Sequence, residues 1–461
     1  MYAALLASDA AYDGCFVTGV LSTGIYCLPS CRARKPKREN VRFFSNFEEA
    51  RAAGLRACRK CRPEEFESGH YSELDRLEAA VHQMRSTPGA YARVPEFAAE
   101  FGWGTTKLQE AARRHYHASP SDLVARAQIA RACSLIYSGD LTVAEVGMEV
   151  GFDSASGFNA AFREQTGLAP SEFRALRSAE TFEISLPSGY NLEPLRARIL
   201  RDSDEVIESF DGELYRRALY VGGEPAVLQM RFGDGVIVSV DGLSASMREV
   251  HAIASRILGL GQEVRGFEAV WHRTTGQPVL HIGTRIPQTP TIFDGVVWAV
   301  VGQQVTLSFA RTLRRRLAEN FGQSVNGLKT LPEPSSLATR TVEDLLPLQF
   351  SRRKAEYLVG LASLGDEWWE RLRVLPATRV ESLLLAQRGL GVWSANYLMM
   401  RSLGFADCVP LGDTGLASGL RKLHGLDYTP KVDEQKKLME PFAPYRSLAT
   451  FHLWQSLKDS A

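Results

Sequence analysis

Four of the seven cysteines, Cys27, Cys31, Cys58 and Cys61, fall within 35 residues, whereas Cys15, Cys133 and Cys408 are scattered. They make two close pairs, Cys27-x3-Cys31 and Cys58-x2-Cys61, separated by 26 residues. That spacing lets each pair clamp one side of a tetrahedral ion, and four thiolates with no histidine favour zinc over magnesium or calcium. In a reducing compartment clustered cysteines read as metal ligands rather than disulfides. Spacing alone favours a closed structural staple, the usual role of a four-thiolate site. A reactive centre is the alternative, because zinc keeps a thiol deprotonated and the thiolate is the nucleophilic form. Arg32, Arg34, Lys35, Lys37 and Arg38 follow the first pair directly. They form either a solvated basic loop or a set of phosphate contacts beside the thiolates. Further on, Gly389-Leu390-Gly391 separates two apolar helical stretches. Such a pair of glycines usually makes a simple turn, but it also lets the backbone approach closely and aim amides at a phosphate.

The elements that must position these groups divide the chain into four. Residues 1–70 hold the cysteine cluster. Residues 72–178 are helix-rich and carry two similar units of helix, Gly-containing turn and second helix, VPEFAAEFGWGTTKLQEAARRHY and LTVAEVGMEVGFDSASGFNAAFREQTG. Their recurrence predicts tandem helix-turn-helix motifs. In the second unit Thr142 and Glu145 have capping-box spacing, Gly151 and Asp153 mark the turn, and Ser154 caps the next helix. Phe158 and Phe162, four apart, face the core and leave Ser156, Asn159 and Arg163 on the groove-facing surface. In the first unit Thr105, Thr106, Gln109 and Arg113 occupy the corresponding helix, which Gly104 precedes. Residues 180–288 alternate in a strand-like way, as in AVLQMRF and VIVSV around FGDG, before the helix MREVHAIASRILGL, and so read as α+β. Residues 289–461 are nearly all helical. The whole is therefore multidomain and mainly α, with α+β parts.

Three stretches resemble known families. TGIYCLPSCRARKPKRENVRFF followed by EEARAAGLRACRKCRPE resembles the amino-terminal zinc domain of the Ada DNA-repair proteins. The resemblance implies that Cys27 is both zinc ligand and acceptor of a methyl group from a DNA methylphosphotriester, with Cys31, Cys58 and Cys61 as co-ligands. Leu28 stands where that family commonly has an arginine. GFDSASGFNAAFREQTGLAPSEFR resembles the second helix-turn-helix of AraC-type regulators. Residues 180–461 resemble an AlkA-type 3-methyladenine glycosylase of the helix-hairpin-helix superfamily. The match rests on the GLG hairpin, on CVPLGDTGLASGL, on FDGVVWAVVGQQVTLSFARTL and on SRRKAEYLVGLASL. It implies Asp413 as the catalytic aspartate, Trp393, Tyr397 and Trp454 as base-pocket aromatics, and Gly389 and Gly391 as backbone contacts to DNA. Gln304 falls where an AlkA-type enzyme can have an apolar wedge inserted into the DNA stack, and the resemblance implies that either Gln304 or Val305 fills that gap. Trp393 stands where lyase members carry the Schiff-base lysine, which implies a monofunctional glycosylase. No cysteine cluster follows Asp413, so no iron–sulfur cluster is expected. No Pro-Cys-His-Arg motif is present, so repair of O6-methylguanine is not expected.

Composition bounds the rest. The chain has 461 residues, with 54 Lys plus Arg against 53 Asp plus Glu and 45% hydrophobic residues. Those totals exclude a polycation, an acidic tail protein and a disordered chain. No apolar run reaches the roughly 20 residues that span a bilayer, and the start lacks the basic and apolar regions of a signal peptide. The expected setting is cytoplasmic and nucleoid-associated, without a membrane. The expected partners are double-stranded DNA carrying alkylated bases and methylphosphotriesters, promoter DNA, and RNA polymerase. A second basic stretch, Arg311 to Arg316, is expected to help grip DNA. Two rival readings are a regulator whose glycosylase-like half merely grips bent DNA, and a glycosylase whose zinc and helix-turn-helix parts serve only for targeting.

Overall fold

The computed structural model describes the chain apart from residues 10, 11, 32, 69–71, 92, 101, 200–204, 243–245 and 458–461. It separates into two compact units, Met1–Ala80 and Val81–Ala461.

In the first unit a four-stranded sheet runs in the order Val41–Phe44, Val17–Val20, Ile25–Cys27, Arg56–Ala57. Val17, Tyr26, Leu28, Phe44, Phe47, Ala50 and Leu55 form its small core. A Cβ on Gly19 would lie 2.5 Å from the Phe44 ring and 2.6 Å from Leu55 Cδ1, so these two side chains cross the strand where only glycine leaves room. So small a core is typical of domains that rely on a metal for folding energy.

The second unit begins with the two helix-turn-helix motifs. Helices Val94–Glu100 and Thr105–Tyr116 form the first, and Val143–Glu149 and Ala155–Thr166 the second; Pro120–Ser138 links them. The local expectations hold. Thr142 and Glu145 form a reciprocal capping box, and the Ser154 side chain accepts from Gly157 N at the start of the helix Ala155–Thr166. Gly151 turns at φ 92. Phe158 and Phe162 are both fully buried. The helix Thr105–Tyr116 starts at Gly104 without a side-chain cap.

A five-stranded antiparallel sheet follows, in the order Thr181–Ile184, Val236–Asp241, Glu224–Phe232, Leu214–Val221, Glu208–Asp211. Its longest pairing registers Leu214 with Arg231 and Val221 with Glu224. Helix Met247–Leu258 packs beside it. The apolar core of the second helix-turn-helix unit continues without a break into this sheet, from Phe158, Phe162 and Phe173 through Ile184 and Leu228 to Ile253. His251 lies against the ring of Phe173, and its Nε2 is 2.7 Å from Thr166 O. The second helix-turn-helix unit and the sheet domain thus share one hydrophobic core.

The remaining helices enclose a second core that includes Phe293, Val297, Leu358, Trp369, Leu398 and Phe442. Buried charges join it to the sheet. Arg217 pairs with Glu208 at 3.2 Å and with Asp294, and Arg314 reaches Asp294 at 3.4 Å and Glu205 at 3.1 Å while lying over the Trp298 ring. Arg314 is 1% exposed. The expectation that the stretch Arg311 to Arg316 grips DNA therefore fails for Arg314, whose guanidinium neutralises Asp294 inside the fold. Arg316 is turned to Leu348 O and Gln349.

Breaking a buried pair from one side leaves an uncompensated charge, which costs about 3–5 kcal/mol. Asp294→Ala is accordingly expected to shift the urea unfolding midpoint of the full chain sharply downward. An Asp294→Ala chain with the wild-type midpoint would show that Glu205 and Glu208 suffice to neutralise both arginines. Among the described residues, no helix is long and apolar enough to cross a membrane.

Candidate metal centre and DNA-repair site

The four cysteines converge because of strand register. Ile25–Cys27 pairs in parallel with Arg56–Ala57, Tyr26 opposite Ala57, so Cys27 ends one strand and Cys58 immediately follows the other. Cys58 N donates to Tyr26 O at 3.0 Å. A turn closed by Cys31 N on Leu28 O brings up Cys31, and Leu28 N donates to Cys61 Sγ at 3.4 Å. All four sulfur atoms lie within 4.8 Å of one another. A tetrahedral zinc site with Zn–S of about 2.3 Å has edges of about 3.8 Å. The donor set and its compactness therefore fit a single zinc ion. Cys27, Cys31 and Cys58 are buried, while Cys61 is more open.

The neighbouring basic run is divided. Arg34 and Arg38 are exposed, with Arg38 over the rings of Tyr2 and Phe43. Arg32 lies outside the described residues. Lys35 departs from the expected phosphate contact: its ammonium donates to Ser8 Oγ at 2.6 Å and to Cys31 O at 2.7 Å. The cation is thereby held against the metal loop, where it offsets the negative charge of four thiolates.

In the helix-turn-helix pair, Thr105, Thr106, Arg113, Ser156, Asn159 and Arg163 are exposed and Gln109 is half-buried. Asn159 is tied to its own helix through Ala155 O, and Arg163 lies 3.9 Å from Glu172.

The third site is built from three helices: Val392–Arg401, Thr414–Leu423 and Arg446–Ser456. Asp413 caps the second of these, its Oδ1 accepting from Leu416 N at 2.7 Å. Trp454 Nε1 donates to the same oxygen at 2.8 Å, and Trp393 Nε1 donates to Oδ2 at 3.0 Å. Three donors thus fix the carboxylate plane. A carboxylate accepts about four hydrogen bonds, so Oδ2 keeps room for one more. The three neutral donors hold the carboxylate in place at the helix N-terminus. Trp393 also stacks on Tyr397, with centroids 5.2 Å apart and planes at 18°, and Tyr397 faces Trp454 at 6.5 Å. All three aromatics and Asp413 are half-buried, so the group borders solvent. Such an arrangement can hold an anion beside a growing positive charge, or orient a water, next to flat apolar faces.

The glycine hairpin adjoins this group. Helix Ala377–Leu385 precedes it and Val392–Arg401 follows. Gly389 sits at φ 99 with the Tyr357 ring 2.4 Å from where a Cβ would be, whereas Gly391 has open space around it. Gln304 is exposed at φ 55 in the turn after Ile292–Val301, while Val305 is packed against the core.

Several residues that position the site were not singled out by sequence. Gln303 ties the Gln304 turn to the hairpin through Gly389 O at 2.8 Å and Ser394 Oγ at 3.2 Å. Asn396 receives Val409 N and donates to Glu381, and Gln435 receives Gly412 N. Gly415 and Gly419, four apart, let the Asp413 helix touch Arg446–Ser456: a Cβ at Gly415 would be 3.0 Å from Trp454 Cδ1, and one at Gly419 2.8 Å from Leu453 Cβ. A small residue at both positions of a helical i, i+4 pair was the signal available in the sequence.

Comparison with known proteins agrees with this three-part composition. Residues 1–64 match the family described as the metal binding domain of Ada, residues 97–176 match a helix-turn-helix domain, and residues 297–444 match the HhH-GPD superfamily base excision DNA repair proteins. The chain is 29% identical to a Mycobacterium tuberculosis protein named "Probable bifunctional transcriptional activator/DNA repair enzyme AlkA", over 99% of this chain and 96% of that one. It is 26% identical to the DNA-3-methyladenine glycosylase of Bacillus subtilis, over 59% of this chain and 96% of the relative. In fold it resembles the 3-methyladenine DNA-glycosylase of Archaeoglobus fulgidus, with a TM-score of 0.54 at 20% identity, covering 60% of this chain and 98% of that structure.

Proposed function

We propose that this chain, which matches the metal binding domain of Ada, a helix-turn-helix domain and the HhH-GPD base excision DNA repair proteins in turn, works as an Ada-type zinc and helix-turn-helix regulator joined to an AlkA-type helix-hairpin-helix glycosylase, with its residues dividing the work as follows. Asp413 carries base excision. The observation that supports this most is the carboxylate held by two indole N–H groups and a helix N-terminus, with one acceptor position left open. Cleavage of the bond between base and deoxyribose builds positive charge on the sugar. A fixed carboxylate stabilises that charge and orients the attacking water. An alkylated purine is already cationic and leaves readily, so little proton donation to it is required.

The flipped base stacks on the Trp393–Tyr397 face, with a cation–π contribution where it is charged. Because both tryptophan N–H groups are committed to Asp413, pocket and carboxylate are one mechanical unit. The hairpin Gly389–Gly391 receives a DNA phosphate on its backbone amides, and Gln304 fills the gap left in the stack. Trp393 in place of a lysine makes the reaction hydrolysis without strand cleavage.

Cys27 accepts the methyl group of a DNA methylphosphotriester: its sulfur bonds to the methyl carbon as the carbon–oxygen bond breaks, and the phosphodiester leaves as the anion. Bound zinc supplies the deprotonated thiol for that attack. Methylation removes one negative charge from the cysteine cluster, which favours phosphate binding thereafter by exposed arginines such as Arg34 and Arg38. Thr105, Gln109, Ser156, Asn159 and Arg163 then read promoter DNA, and RNA polymerase is the partner of the activated form. The working parts are 1–70, 72–178, 180–288 and 289–461, and the setting is cytoplasmic, at the nucleoid.

Duplexes carrying single 3-methyladenine, 7-methylguanine or unmodified adenine test the enzyme. We expect release of the alkylated purines without strand scission. If all three bases stay in place, the rival reading gains, in which this half of the chain only grips DNA.

A further inference from the structure

The second helix of the first helix-turn-helix unit, Thr105–Tyr116, packs against Ala377–Leu385, the helix that leads into the glycine hairpin. His115 Nδ1 lies 2.9 Å from Thr378 Oγ1. One residue past the helix, His117 stops it in the left-handed conformation at φ 53. That turn aims the imidazole at the segment that runs into Asp413. Its ring stands edge-on to Phe405, with centroids 5.6 Å apart, and its Nδ1 is 3.8 Å from Cys408 Sγ.

The segment from Phe405 to Asp413 has no regular structure of its own, so its course is set by what holds it. Arg446 clamps Asp407 at 2.6 and 2.7 Å. Ser447 Oγ donates to Phe405 O and receives Cys408 N, and Asn396 receives Val409 N. These anchors all belong to the glycosylase; His117 and the helix it ends are contributed by the regulator. Burial keeps the His117 pKa down at about 4, with Asp407 acting in the opposite direction, so at neutral pH the ring packs as an uncharged group.

We propose that His117 is a positioning residue for base excision: the first helix-turn-helix unit forms one wall of the segment that delivers Asp413, so the regulator is a structural part of the enzyme. The proposal rests on the glycosylase reading above. It also departs from a simple tethering of two independent modules, in which no regulator residue would affect the chemical step.

The test compares wild type, His117→Ala and His117→Asn in the full chain, on a duplex with one 7-methylguanine. Single-turnover release is measured against protein concentration, alongside thermal unfolding. Asparagine adopts the left-handed conformation readily and keeps a polar group near the place of Nδ1. Small displacements of a catalytic group cost on the order of 10-fold to 100-fold in rate. The expected result is a fall of about 10-fold in the maximal rate of His117→Ala, with the half-saturating concentration unchanged and most of the rate restored in His117→Asn. An unchanged maximal rate in His117→Ala overturns the proposal while leaving the glycosylase reading intact. So does a rate that falls only in step with lost thermal stability and is not restored by asparagine. Wild type that releases no base removes the glycosylase reading, and the inference with it.

Discussion

Asp413→Asn is expected to lower the single-turnover release of alkylated purines by about 10²-fold to 10³-fold, the scale of losing one preorganised electrostatic partner of a transition state, while DNA binding stays near that of wild type. The geometry makes the substitution sharper than a simple loss of charge. The asparagine oxygen can still accept from Leu416 N and Trp454 Nε1, as Asp413 Oδ1 does. Its amide NH2 then faces Trp393 Nε1, which now donates to Oδ2 at 3.0 Å, and two donors meet. Trp393→Phe separates the two effects, because it keeps a ring against Tyr397 and removes the indole N–H. A hydrogen bond to a charged group contributes about 1.5–3 kcal/mol, so this variant should lose on the order of 10-fold to 100-fold. Release by Asp413→Asn within a factor of ten of wild type would move the catalytic carboxylate elsewhere.

The second large effect concerns the cysteine cluster. After incubation with methylated DNA, one methyl group is expected on the peptide containing Cys27, and none on a Cys27→Ala chain. Accessibility makes this a real choice, since Cys27 is only 6% exposed and Cys61 is the most open of the four. A label on Cys61 would reassign the acceptor, and no label at saturating damage would leave a purely structural centre. Metal removal tests the structural side of the same site. Structural zinc in small domains contributes about 10–16 kcal/mol of apparent binding energy. The core here consists of a few residues around Tyr26 and Phe44. Chelation is therefore expected to unfold residues 1–80 and leave base excision intact. A chelated chain with unchanged far-ultraviolet dichroism in this region would show that the sheet holds without metal.

Much of this was legible because certain signals are local. Cysteine spacing, the Thr142–Glu145 capping box, the Ser154 cap and the paired Phe158 and Phe162 each depend on a few consecutive residues, and each appears as read. The charge runs were less informative. Lys35 and Arg314 sit in basic stretches that suggested DNA, yet one holds the metal loop and the other neutralises a buried aspartate. A charge in sequence carries no record of whether its partner is a phosphate outside or a carboxylate within.

What the sequence determined by itself was the inventory: a four-thiolate centre, two helix-turn-helix units, a glycine hairpin and an aspartate followed by a helix. Those features arise from residues close in the chain, where spacing fixes geometry. The tertiary structure decided the rest. Two tryptophans 61 residues apart meet on one carboxylate, strand register sets Cys27 beside Cys58, and a histidine just past the helix Thr105–Tyr116 packs against the segment that leads to Asp413. Such contacts depend on how distant helices and strands pack, and packing is set by the whole apolar surface of the fold rather than by any motif.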